Sequence, residues 1–244
     1  MFCFILTSIS YNGIMNFKNN DHMEHDMIIQ LNGVELFYEK VGQGKPIILL
    51  HGNGESHQIF DVLIKQLSKQ YTVYAIDSRG HGKSSKVKQL DYNCMMEDIA
   101  SLIKELNLES PILYGFSDGG IIGLLLASKY PDLLSKLIVS GANVTPDGLD
   151  NSILRYMRIV HFFTRSAKIK MMLTQPNISS DELQRIRIPV LVLAGEKDMI
   201  KLEHTKYIAK QIPNHQLNII NGESHGSYIV HSDKLYGIIK PFID

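Results

Sequence analysis

Tryptophan is absent from this 244-residue chain, and cysteine occurs only twice, at Cys3 and Cys94. Two cysteines so far apart make neither a disulfide framework nor a metal-ligand spacing, so both are read as free thiols suited to a reducing cytoplasm. Net charge is lacking too, because 25 lysines and arginines balance 25 aspartates and glutamates. No long-range field therefore recommends nucleic acid or an anionic membrane as partner, and a small molecule is expected instead. Long apolar runs are missing: stretches such as Pro46 to Leu50 fall far short of the ~20 residues that a spanning helix needs, which argues against stable membrane insertion. The histidines at 22, 25, 161, 204, 215 and 231 show no paired metal spacing and are read as surface residues, so neither a metal nor an organic cofactor is expected. Met1 to Ser10 are apolar, but no Lys or Arg precedes them and no small-residue cleavage site follows, so a signal peptide is not expected.

What is present is a 44% hydrophobic composition, enough for one large core over this length. The organised pattern begins at Met27. Residues 1–26 are expected to be an N-terminal extension or the product of a mistaken start, with Met15, Met23 and Met27 as later starts, and residues 27–244 a single domain. Met27 to Leu31 and Val34 to Glu39, split by Asn32-Gly33, read as an opening hairpin because that dipeptide tolerates the positive φ of a tight turn. Then Pro46 to Leu50, Tyr71 to Ile76, Ile112 to Phe116, Lys136 to Ser140, Pro189 to Ala194 and Gln216 to Ile220 are compact apolar runs of the kind that form central parallel strands. Between them apolar residues recur at helical spacing, for example Met96, Ile99, Leu102, Ile103 and Leu106. Strands alternating with helices predict a mostly parallel sheet flanked by helices. The stretch from about 144 to 187 is too long for a simple crossover and is read as a lid insertion, with Ile153, Tyr156, Met157, Val160 and Phe163 on one face. Within it, Val160 to Met172 mixes Arg165, Lys168 and Lys170 with apolar residues. That pattern fits the inner face of a lid with solvated lysines outside, and also an amphipathic surface.

Gly115-Phe116-Ser117-Asp118-Gly119 fits G-x-S-x-G where the chemistry needs it, directly after a strand and before a helix. Such a turn lifts the serine hydroxyl clear of the sheet, and the helix start behind it favours developing negative charge. Serine is a weak nucleophile and needs a base, which in turn needs an orienting carboxylate. Asp198 follows the Pro189 to Ala194 strand and His225 follows the Gln216 to Ile220 strand, so both emerge on the serine's side. Glu196 and Glu223 are rivals for the acid; Glu196 is expected to face away or bind a loop backbone. His51-Gly52-Asn53-Gly54, after the Pro46 to Leu50 strand, supplies a second loop, and the backbone N–H groups of Asn53 and Asp118 are the candidate oxyanion donors. Gly82-Lys83-Ser84 imitates the end of a phosphate loop, but Asp77 stands where that loop requires glycine. The Asp118 side chain has two readings: it binds a substrate ammonium group, or it is held by Arg79 or a helix-end amide.

Together, the His51 to Gly54 loop, the Asp77 to Ser84 loop, the Ser117 elbow, Asp198 and His225 resemble the α/β-hydrolase superfamily over residues 27–244. The resemblance implies an α/β-hydrolase fold with an eight-stranded, mostly parallel sheet and a short helical lid. It also implies a serine hydrolase acting on a small carboxylic ester without a cofactor, and a structural role for Arg79 and His81. C–C bond, lactone or aminopeptidase-type hydrolysis on the same triad, or a non-catalytic receptor, remain open at this point. Gly115 to Gly120 and Ser140 to Asn143 are similar to the valacyclovir-hydrolase-like branch, which implies esters of small amino acids. Substrate and oligomeric state are not legible.

Overall fold

The computed structural model describes residues 25–244. The expectations for the N-terminal extension and for Cys3 lie outside the described residues, apart from His25 and Asp26, which already belong to the first strand. β1 (His25–Leu31) and β2 (Val34–Val41) form the expected hairpin, turned by Asn32 at φ 48° and Gly33 at φ 76°. Six strands follow: β3 (Lys45–Leu50), β4 (Tyr71–Ile76), β5 (Ile112–Phe116), β6 (Lys136–Ser140), β7 (Val190–Lys197) and β8 (His215–Ser224). They lie in one sheet of order β1-β2-β4-β3-β5-β6-β7-β8, in which β3 to β8 run parallel and β2 pairs antiparallel with β4.

Helices cover both faces because successive strand residues point to opposite sides. Ile112, Tyr114 and Phe116 of β5 enter one layer with α1 (Asp61–Leu67) and α8 (Lys234–Ile243), while Leu113 enters the other with α2 (Tyr92–Glu105), α3 (Asp118–Lys129) and α7 (Leu202–Gln211). The start of α2 is fixed by Asp91, whose side chain accepts from the N–H groups of Asn93 and Cys94. α3 is apolar all round and is buried along almost its whole length, as a helix in the centre of a core must be.

Between β6 and β7 the chain inserts α4 (Asn151–Thr164), α5 (Ala167–Thr174) and α6 (Ser180–Gln184), the last closed by a capping box between Ser179 and Glu182. The expected apolar face of α4 is only half right. Leu154 and Met157 are buried with Leu149 and Ile200, but Tyr156 and Phe163 are exposed. Period 3.6 places Ile153 and Met157 together and leaves Tyr156 and Phe163 on the far side. Among the described residues no helix is long and apolar enough to cross a membrane.

Candidate active site

Ser117 lies between β5 and α3 with φ 52° and ψ −113°, a conformation that L residues rarely adopt. It persists because the elbow is clamped: the Ser117 N–H donates to the Ser140 carbonyl at 2.8 Å, and the Ser117 carbonyl accepts from Ile121 N–H. The turn also requires glycine, since a Cβ on Gly119 would stand 2.2 Å from the Leu50 carbonyl oxygen.

The structure brings together the three side chains singled out from the sequence. His225 Nε2 is 3.2 Å from Ser117 Oγ, and His225 Nδ1 is 2.6 Å from Asp198 Oδ1. Asp198 Oδ1 also accepts from the Ile200 N–H at 2.9 Å, and the carboxylate is fully buried. Its rivals are occupied elsewhere: Glu196 accepts from the Gly222 N–H, and Glu223 is held by Ser227 Oγ and Lys234. The His225 ring packs at 4.9 Å, centroid to centroid, on Phe116, the residue before the nucleophile. One contributor escaped the sequence reading. Gly141, just past β6, has φ 60°, and a Cβ there would stand 2.7 Å from His225 Cε1 and 3.3 Å from Asp198 Oδ2. The base and its acid meet over a residue that must have no side chain, and nothing local in Ser140-Gly141-Ala142 signals that contact.

The two candidate oxyanion donors are tied to each other. Asn53 Nδ2 donates to Asp118 Oδ2 at 2.8 Å, and Tyr92 Oη donates to Asp118 Oδ1 at 2.7 Å. As the residue opening α3, Asp118 has an N–H with no partner inside the helix; among the described residues nothing accepts from the Asn53 N–H. The Asp118 carboxylate is held neither by Arg79 nor by a helix-end amide. Arg79 instead makes a two-pronged bond to Asp98, its Nε and Nη2 each 2.5 Å from a carboxylate oxygen. Asp118 is buried, and burial raises its pKa against the opposing pull of the Tyr92 and Asn53 bonds. Both oxygens therefore have protein partners, and the expectation that they meet a substrate ammonium loses its geometric footing. Tyr92, far away in sequence on α2, and Glu55, whose carboxylate accepts from the Gly52 N–H at 2.9 Å, are two further supports of this loop that the sequence reading missed. Burial raises the Glu55 pKa, partly offset by that N–H.

The loop behind the site is a network of histidines around one buried carboxylate. Asp77 accepts from the His57 N–H, His57 Nδ1 and the Lys83 N–H; burial alone would raise its pKa, but these donors hold it below the usual carboxylate range. His51 Nε2 accepts from the Ser78 N–H, and its ring lies 5.3 Å from that of His81. Burial lowers the pKa of both, that of His81 to about 4. His204, expected at the surface, is half-buried and accepts from the Val144 N–H through Nε2. From the inserted helices, Lys168 of α5 comes near enough for its charge to be felt at Asp118, His51 and His81; its own pKa is lowered by burial. The expectation of a solvated outer lysine is therefore corrected for Lys168, which is half-buried.

With this geometry the chain matches the alpha/beta hydrolase fold family over residues 45–165. Human (Homo sapiens) serine hydrolase BPHL is 28% identical over 250 residues, covering 88% of this chain and 85% of that protein. A putative esterase/lipase of Haemophilus influenzae (strain ATCC 51907 / DSM 11121 / KW20 / Rd) is 27% identical over 238 residues, covering 81% of this chain and 83% of that one. Among solved structures, bromoperoxidase from Bacillus anthracis superposes with a TM-score of 0.80 at 22% identity, over 90% of this chain and 99% of that chain. A thermophilic esterase from Thermogutta terrifontis gives a TM-score of 0.74 at 22% identity, over 92% and 98% of the two chains. Sequence relatives, superposed structures and the elbow at the end of β5 agree: the chain has the α/β-hydrolase fold and is a hydrolase.

Proposed function

We propose that this protein is a serine esterase that cleaves a small carboxylic ester through an acyl-Ser117 intermediate. The observation that carries the proposal is the continuous line from Ser117 Oγ to His225 Nε2 at 3.2 Å and from His225 Nδ1 to Asp198 Oδ1 at 2.6 Å. In that arrangement His225 Nε2 takes the hydroxyl proton as Ser117 Oγ attacks the ester carbonyl carbon, and Asp198 holds the ring and stabilises the imidazolium. The carbonyl oxygen gains negative charge, which the N–H groups of Asn53 and Asp118 receive at the positive end of α3. His225 then protonates the departing alkoxide. Water, deprotonated by the same nitrogen, attacks the acyl carbon and releases the acid.

The segment from about 144 to 187 serves as the lid; the influence of the Lys168 charge, carried by α5, on Asp118 supports that role. The Asp118 carboxylate acts by positioning: it fixes the Asn53 side chain and so sets the distance between the two oxyanion donors. Steady-state hydrolysis of p-nitrophenyl acetate, p-nitrophenyl butyrate and an alanyl ester by the wild type and Ser117→Ala tests the proposal. Turnover by the wild type that falls at least about 10⁴-fold in the variant supports it; a folded wild type without turnover on any of the three overturns the ester reading. Asp118→Ala separates the two roles of that residue. A lower kcat at an unchanged ratio of alanyl to neutral ester kcat/KM is expected, and a collapsed ratio would instead mark a direct contact with the substrate amine.

A further inference from the structure

Eight large hydrophobic side chains are exposed among the described residues, and four of them sit on α4: Tyr156 at 66%, Ile159 at 53%, Phe162 at 65% and Phe163 at 77%. At ~100° per residue these four share an arc of about 120°, opposite the buried Leu154 and Met157. A patch of this kind is more than scattered surface apolarity, because one face of one helix holds it. Phe162 and Phe163 pack edge to face at 5.2 Å, and the Arg165 guanidinium lies 5.6 Å from the Phe162 ring centroid.

The charge around this patch is one-sided. From Asn151 to Ser180 there is no aspartate or glutamate, whereas Arg155, Arg158, Arg165, Lys168 and Lys170 all fall within it. Arg155, Arg158, Arg165 and Lys170 are exposed, and none forms an ion pair among the described residues. The chain's zero net charge therefore conceals a segregation: the rest of the sequence carries five more acidic than basic residues. A cationic apolar face does not suit a second copy of itself, since a twofold contact would set arginines against arginines. It does suit an anionic lipid surface, where aromatic and aliphatic side chains enter the acyl boundary and arginine stems reach up to phosphate.

We propose that the outward face of α4 docks this protein on an anionic phospholipid surface, with Tyr156, Ile159, Phe162 and Phe163 inserted and Arg155, Arg158, Arg165 and Lys170 on the headgroup phosphates. The contact is peripheral and independent of the catalytic reading, so it is tested without activity. Because the chain has no tryptophan, Phe162→Trp introduces a single reporter. Full-length protein is mixed with vesicles of phosphatidylcholine alone or of phosphatidylcholine with phosphatidylglycerol, and tryptophan emission and co-sedimentation are followed. A blue shift and at least about tenfold stronger partitioning on the anionic vesicles are expected, weakening with added salt. The Phe162→Ser, Phe163→Ser double variant is expected to lose about tenfold in partitioning, and Arg155→Gln with Arg158→Gln to lose several-fold with a shallower salt dependence. All these positions are exposed, so the urea midpoint should not move. Absence of binding to anionic vesicles, equal binding to neutral ones, or undiminished binding of the double serine variant overturns the proposal. So does a dimer in analytical ultracentrifugation that the double variant abolishes, which would assign the face to a second copy.

Discussion

The strand ends that carry Ser117, Asp198 and His225 and the helices inserted between β6 and β7 follow opposite rules within one chain. At the strand ends most polar groups are paired and fixed: Asp118 is held from two sides, Asp77 from three, and the Ser117 backbone is bonded to β6 and to α3. In the inserted helices Phe162 and Phe163 stand in solvent and four exposed cations have no carboxylate partner among the described residues. The first region holds atoms still for a reaction. The second presents a surface. Precision in a site therefore comes from density of partners, and it is spent only where charge has to develop.

That contrast is sharpest in catalysis. Asp198→Asn keeps the shape of the site but favours the wrong imidazole tautomer, so kcat should fall by about 10⁴-fold with little change in KM. A loss below tenfold would mean that Asp198 does not orient His225. Gly141→Ala is expected to act on both function and stability, because its φ is left-handed and its Cβ would press on His225. Denaturant unfolding should show a loss of about 1–3 kcal/mol, and kcat should drop by roughly 10² as the base is displaced.

A smaller effect is expected from acid. His81 is neutral in the fold and its pKa is lowered to about 4 by burial, against an ordinary value of 6.5, with His51 shifted in the same direction. Between these pH values the unfolded chain binds protons that the folded chain refuses, so the contribution is whole above about pH 6.5 and is lost as pH falls toward about 4. The urea midpoint followed from neutral to mildly acid pH should decline, and His81→Gln should flatten the decline. The smallest effect belongs to the inserted helices: Lys168→Ala should raise KM for esters with an anionic acyl group by roughly twofold to fivefold and leave kcat on neutral esters unchanged. An equal loss of kcat on all esters would break the contrast, placing a residue of the inserted helices within the fixed machinery.

What the sequence made legible follows the same division. β4, β5 and β6 begin and end at the expected residues because each is a short, largely apolar run bounded by polar residues, proline or glycine and buried on both faces. β8 extends to Ser224, beyond the apolar run that ends at Ile220, because its backbone continues to pair with β7 past a bulge near Gly195. Ser117, Asp198 and His225 were readable because each sits just after a strand of recognisable composition. Gly141, Tyr92 and the true partner of Arg79 were not, since each acts through a neighbour distant in sequence and leaves no local pattern. The facing of α4 was hidden for another reason: when apolar residues lie on both sides of a helix, Leu154 and Met157 on one and Tyr156, Phe162 and Phe163 on the other, periodicity alone does not say which side meets the protein.

β6 and β7 are adjacent and parallel, with Ser140 beside Leu193, and the chain between them runs from Gly141 to Pro189. A parallel crossover needs only a dozen or so residues, and α6, packed against α3 and α7, already provides one. α4 and α5 are therefore surplus to the topology. The chain before α4 and the chain after α5 meet where the Ile178 N–H donates to the Val144 carbonyl, so this stretch is a replaceable module: it can be exchanged, shortened or redesigned as a cassette while the strand order and the hydrogen-bonded frame beneath it stay as they are.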